Sequence, residues 1–271
     1  MFVGEAVLGT RAGVGSSRRF YVWMASACLA IAVVGFMPTY FLPLAQGRFR
    51  AEPIVHIHGL VLFSWVAFFF TQTWLVATGR TLAHRTWGML GIAIVTAMTC
   101  VITAVVSMRV AQASLPGQPA GTAEGVRAFA WVTIGGLAFI VPVFILAIVK
   151  LKDSEAHKRL ILLMTVSMLG APIARWFLTF LAPPPDPNAP PWPAGLPHVA
   201  APPVFVAVTP ALIGDILLVV AMVYDWRTRG RPHPVYLIGG GIMLLLHLTM
   251  VPVSNSPAWQ AIAAAIGRLA G

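Results

Sequence analysis

Four ionisable side chains fall inside apolar stretches of this sequence: His58, Arg175, Asp215 and His247. Such groups are costly in hydrocarbon and usually face a bundle interior, a cavity or one another, so each is a functional candidate. Two neutral imidazoles on different helices, His58 and His247, would make the axial pair of a b-type haem, with Arg175 neutralising a propionate. His58, His247 and Asp215 together make a donor set for zinc or copper. A midplane set of Asp215, Arg175 and histidine suits proton coupling equally well. The plainer alternatives are an Arg175–Asp215 ion pair that locks two helices and a hydrogen-bonded packing role for His247. The sequence names no catalytic residue.

A second set lies nearer the ends of the apolar runs. His84 and His157 sit beside Arg85, Lys158 and Arg159. They read as boundary residues that reach lipid headgroups, with an inner haem pair as the alternative. His56 and His58 are two apart and point to roughly opposite helix faces. His58 is the deeper and is followed by Gly59, which leaves room for close approach. Gln72, between Thr71 and Thr73, reads as an interhelical hydrogen-bonding group.

The elements that must position these residues are helices in a bilayer. Mean hydropathy is +0.84, and 10% of residues are charged against 58% hydrophobic. A soluble domain carries roughly 25% charged residues. Seven apolar runs of span length occur, at about 20–44, 55–78, 86–108, 128–150, 159–181, 203–226 and 234–253. Each has the roughly 20 residues a crossing needs. None shows the alternation of a barrel strand, so all should be helices. The fold class is therefore all-α, a seven-helix transmembrane bundle over 20–253, preceded by a cytoplasmic segment, 1–19. The lipid bilayer is its first partner. The net charge of +10 does not signal nucleic acid, because the basic residues cluster at the ends of apolar runs. A retinal chromophore is excluded by the absence of lysine from the seventh run.

Orientation follows from lysine and arginine. With the amino terminus inside, twelve of them lie on inner segments and five on outer ones, with Arg175 within a span. That bias predicts an amino terminus inside and a carboxyl terminus outside. The outer segment 182–203 holds ten prolines and should be extended and stiff, either as a tether or as a lid anchored by Trp192. Ser256-Pro257 is a helix-start signal, so 254–271 is expected to hold a short interfacial helix.

At about 1.5 Å per residue, Arg175 lies roughly 24 Å from the inner side, His247 about 20 Å and Asp215 about 15 Å, with His58 near the outer start of its helix. The four fall in one depth range. Pro38, Pro172, Pro210 and Pro252 also fall in outer halves, with Pro142 the inner exception. Each removes a backbone donor and frees a carbonyl four residues earlier.

The runs HIHG at 56–59, LAHRTWG at 82–88 and AHKRLILLMTVSMLGAPIARW at 156–176 resemble an uncharacterised family of bacterial multi-helix membrane proteins. Its pattern is His-Gly at one helix start, His-Arg-x-x-Gly at the next, then His-Lys/Arg-x-x-Met and a later arginine. Here the methionine of the last block is displaced to Met164. The resemblance implies that His58, His84, His157 and Arg175 belong to a family pattern, and it brings no reaction with it. A looser likeness to small membrane factors for cytochrome oxidase assembly implies a bacterial inner-membrane setting beside a respiratory complex. The expectation is a protein that holds or handles a redox cofactor, haem b or a transition metal. The alternatives are a structural or assembly subunit and a proton-coupled transporter.

Overall fold

The computed structural model describes residues 3–183, 187–188 and 191–270, with side chains from residue 17 onward. Among them the chain is helical, with no strand. Six helices are long and apolar enough to cross a membrane: α1 (Ser17–Ala45), α2 (Pro53–Ala77), α3 (Thr81–Ala113), α4 (Thr122–Val149), α5 (Ser154–Leu181) and α6 (Phe205–Arg229). The helical backbone of α1 already begins at Val3, so the first segment of the chain extends the helix. The seventh apolar run is broken. It forms α7 (Pro234–Leu248), a turn at Thr249 and α8 (Met250–Ser254). Fifteen residues reach only about 22 Å, short of the ~30 Å hydrocarbon core. A last helix, α9 (Pro257–Gly267), starts where expected, with Ser256 Oγ accepting from Trp259 N at 3.2 Å.

Three of the five prolines singled out in the sequence coincide with irregularities. Pro252 has no N–H for the Leu248 carbonyl, and α7 stops at Leu248. Pro172 likewise leaves the Met168 carbonyl free, and α5 is interrupted between Ser167 and Gly170. Pro38 lies in a π-helical turn, Met37–Phe41, inside α1. A second π turn, Phe177–Leu181, ends α5. Pro142 and Pro210 sit inside unbroken helices.

The centre of the bundle is α5, which packs against α1, α4, α6 and α7. Leu162, Leu163 and Met164 are fully buried there, with Trp65 of α2, Met98 of α3, Cys28 of α1 and Met243 of α7 in the same core. Trp65 Nε1 donates to Thr165 Oγ1 at 3.2 Å, satisfying the indole where no water reaches.

The two ends of the bundle differ. At one, called here the basic end, Lys158 meets Ser17 and Arg229 meets Glu155. At the other, the described part of the proline-rich segment lies against the protein. Val199 is buried, Trp192 packs on the same small cluster, and the Pro197 carbonyl accepts from Gln118 Nε2 at 3.1 Å. There α9 packs on α3 and α4, and Trp259 Nε1 donates to the Arg127 carbonyl at 2.7 Å.

Candidate functional site

Asp215 and His247 form a pair. The carboxylate Oδ2 accepts from His247 Nδ1 at 2.9 Å, and both side chains are largely buried, at 15% and 7% exposure. Asp215 lies on α6, next to Gly214. A Cβ on Gly214 would meet Leu169 Cβ at 3.4 Å, so α6 runs close along α5 there, as small residues allow in membrane bundles. His247 comes from the last turn of α7. Asp215 Oδ1 is buried without a hydrogen-bond partner. The pair thus holds a proton between an imidazole and a carboxylate, with one acceptor to spare.

His58 and Arg175 occupy a different corner, against α1. The Arg175 guanidinium lies over the Phe36 ring, 5.4 Å from its centroid, and its charge reaches His58. The Phe36 ring also packs on Phe63 of α2, and Phe41 does the same. His58 Nδ1 and Thr39 Oγ1 are buried without partners. His56 is not free: its Nδ1 and the Tyr40 hydroxyl are 3.0 Å apart. The four depth-matched residues are therefore divided, His58 with Arg175 and Asp215 with His247. Among the described residues, no three of histidine, cysteine, aspartate and glutamate stand close enough together to hold a metal ion.

His84 and His157 do approach one another. His84 lies against the Gln72 backbone and within electrostatic range of His157. His157 Nδ1 is 2.8 Å from the Ala147 carbonyl, which can only accept. A proton therefore sits on Nδ1, so Nε2 is the nitrogen left to carry the lone pair whenever the ring is neutral. His84 Nδ1 and both polar atoms of the Gln72 side chain are buried without partners.

The most elaborate polar cluster is one that charge counting hides. Sequence reading counts Arg159 among the inner-boundary charges that set topology. In the structure it is 1% exposed. Its Nε donates to Asp225 Oδ2 at 2.8 Å, its Nη2 to Asp225 Oδ1, and its Nη1 to Glu155 Oε2 at 2.6 Å. Lys158 donates to the other Glu155 oxygen at 2.7 Å and lies over the Tyr21 ring. The Tyr21 and Tyr236 hydroxyls are 3.2 Å apart beneath it. Four helices, α1, α5, α6 and α7, are joined through this cluster. The signal for it is compositional: of eight acidic residues, Asp153, Glu155 and Asp225 all lie at the cation-rich end.

His233 completes the cluster from the turn before α7. Its backbone N–H donates to Asp225 Oδ2 at 3.3 Å, and its Nδ1 accepts from Val235 N at 3.2 Å, capping the helix. Burial, followed by the nearby Arg159 charge, holds its pKa below the usual histidine range. The neutral ring is the form the cap requires, since only an unprotonated Nδ1 accepts.

No family model, no curated protein and no solved structure matches this chain.

Proposed function

We propose that this is a seven-crossing protein of the bacterial inner membrane, amino terminus inside and carboxyl terminus outside, that handles protons through Asp215 and His247. The orientation is supported by the twelve-to-five distribution of lysine and arginine. The seventh crossing combines α7 and α8, whose break at Thr249 is the backbone cost of Pro252.

The observation that carries the function is the 2.9 Å contact between His247 Nδ1 and Asp215 Oδ2 within apolar helices. An imidazole and a carboxylate at this distance exchange a proton without moving heavy atoms, and the unpartnered Oδ1 offers an acceptor for the next donor. Membrane proteins that move protons use chains of such groups. The test is proton flux itself. The protein is reconstituted in liposomes holding a pH-sensitive dye, under a potassium diffusion potential. The wild type should acidify or alkalinise the lumen faster than empty liposomes, and Asp215→Asn and His247→Gln should each remove the difference. Equal rates in all four preparations would falsify the proposal.

A second reading keeps the redox cofactor, a b-type haem or a transition metal beside a respiratory complex, and places it at His84 and His157. It is favoured by the Ala147 carbonyl, which orients the His157 ring and leaves Nε2 as a ligand, the usual arrangement behind a metal-bound histidine. The absorption spectrum and metal content of the purified protein decide it. A Soret band or a stoichiometric metal that His157→Ala removes supports the reading, and absence of both ends it. The resemblance to bacterial membrane proteins carrying the same histidine pattern fits either reading.

A further inference from the structure

We propose that the groove between α4 and α7 holds one acyl chain of an anionic phospholipid, with the headgroup at the basic end of the bundle. Both helices pack on α5, and between them lies a cavity of about 530 Å³. Leu160 and Leu163 of α5 form its floor. Pro142 and Leu146 of α4 line one side, and Ile238 and Ile242 of α7 the other. The floor is buried, whereas Leu146, Ile238 and Ile242 are exposed, so the groove opens sideways to the bilayer. Of the residues around it, only Trp131 carries a polar side-chain atom.

The dimensions select the occupant. The lining runs from Trp131 to Leu146 along α4 and from Pro234 to Leu246 along α7, about 22 Å and about 18 Å at roughly 1.5 Å per residue. A helix with its side chains is about 10–12 Å across, so about 18 Å of one would fill roughly 1,400 Å³. A transmembrane segment of a partner or of a second copy is therefore too thick to enter. At roughly 30 Å³ for each water-sized group, the groove takes about 18 non-hydrogen atoms, the size of a single long acyl chain. Within a bilayer such a chain gains packing and not transfer out of water, so the headgroup has to supply the preference for one lipid over another.

Charge at the two ends of the groove gives that preference. Lys150 follows Leu146 by one turn, on the same face of the chain, and Arg231 precedes Pro234 by three residues; both are exposed. The acids at this end are engaged elsewhere. Glu155 and Asp225 pair with Lys158, Arg159 and Arg229, and Asp153 caps α5. Among the described residues, Lys150 and Arg231 take part in none of these ion pairs, so two free cations stand where the groove meets the headgroup layer. Basic residues so placed attract anionic headgroups. At the opposite end Arg127, one turn before Trp131, is already paired with Glu124.

Native mass spectrometry of the protein purified in a neutral detergent tests this, with phosphatidylglycerol and phosphatidylcholine of identical chains titrated separately. One phosphatidylglycerol should bind per chain, at a concentration about tenfold lower than phosphatidylcholine requires. Ala138 is exposed and lines the groove, so Ala138→Phe fills it and should weaken binding of both lipids about tenfold. Gly136 lies outside the lining, and Gly136→Ala should change nothing. Lys150→Gln combined with Arg231→Gln alters only exposed side chains, so it remains informative if Ala138→Phe folds poorly. It should bring phosphatidylglycerol down to the level of phosphatidylcholine. Equal binding of the two lipids, binding unaltered by Ala138→Phe, or a preference that survives in the double variant overturns the proposal. So does a dimer that Ala138→Phe abolishes, which would assign the groove to a second copy of the chain.

Discussion

Arg159 and Asp225 lie 66 residues apart in the chain and meet through two parallel hydrogen bonds, with both side chains 1% exposed. This is the bidentate geometry in which a guanidinium and a carboxylate match best. The pair fixes where α5 meets α6, and Glu155, Lys158, Tyr21 and Tyr236 extend the tie to α1 and α7. Removing Asp225 leaves Arg159 Nε and Nη2 buried without an acceptor and only Glu155 as counter-charge, and removing both members does not.

Asp225→Ala should therefore lower stability by up to about 3–5 kcal/mol, the usual cost of removing one partner of a buried ion pair, with Glu155 limiting the loss. The double change Arg159→Leu with Asp225→Leu should recover most of that loss. Denaturation in mild detergent, followed by circular dichroism, measures both. Equal loss in the single and double variants would show that the pair's value lies in the bond and not in the stranded charge.

His233 makes stability depend on pH. Its folded-state pKa lies below the unfolded one, so the unfolded chain binds the proton more readily. The contribution is fully present above the unfolded value and is lost as pH falls through the folded value. The thermal midpoint should fall on acidification below neutral pH. His233→Asn keeps a capping acceptor and should flatten that part of the profile. An unchanged slope in the variant would assign the pH dependence to another group.

Gly35 admits no side chain. A Cβ there would stand 2.4 Å from Pro172 Cβ and 2.6 Å from the Pro172 carbonyl oxygen. Neither backbone can yield cheaply, so Gly35→Ala should cost about 1–3 kcal/mol by overpacking. Gly136, with nothing within 4 Å of an added Cβ, is the control; Gly136→Ala should be neutral or slightly stabilising. Thermal midpoints of the two variants, compared in one detergent, give the answer.

The last helix is held by a few identifiable bonds. Ser256→Ala removes its cap and Trp259→Phe removes the bond to the Arg127 carbonyl, each worth about 1 kcal/mol. Limited proteolysis should cut near residue 256 faster in either variant, and fastest in the double one. Unaltered cleavage would mean that packing of Ala263 and Gly267 suffices.

The sequence made the helical membrane character legible because length and hydropathy measure it directly. Six of the expected seven runs are helices of crossing length, and the seventh breaks where Pro252 removes a donor. Rise per residue gave the sequence an estimate of depth, but azimuth was not legible. These helices are apolar on nearly every side, so no hydrophobic stripe says which way Asp215 or His58 points. Four residues could be placed in one depth range, but not sorted into Asp215 with His247 and Arg175 beside His58. The burial of Arg159 was hidden for a related reason: a position near a helix end looks the same in sequence whether it faces headgroups or an aspartate on the next helix.

The π turns alter how residue positions correspond to faces. Each accommodates one residue more than an α turn, so every side chain beyond it is rotated by about 100° from where an unbroken helical wheel would place it. Tyr40, which reaches His56, lies within the first of these turns. Deleting a single residue from Met37–Phe41 would restore regular winding and turn the rest of α1 away from its neighbours. At this point the chain is sensitive to residue number as well as residue type, and a one-residue gap would cost more than most substitutions.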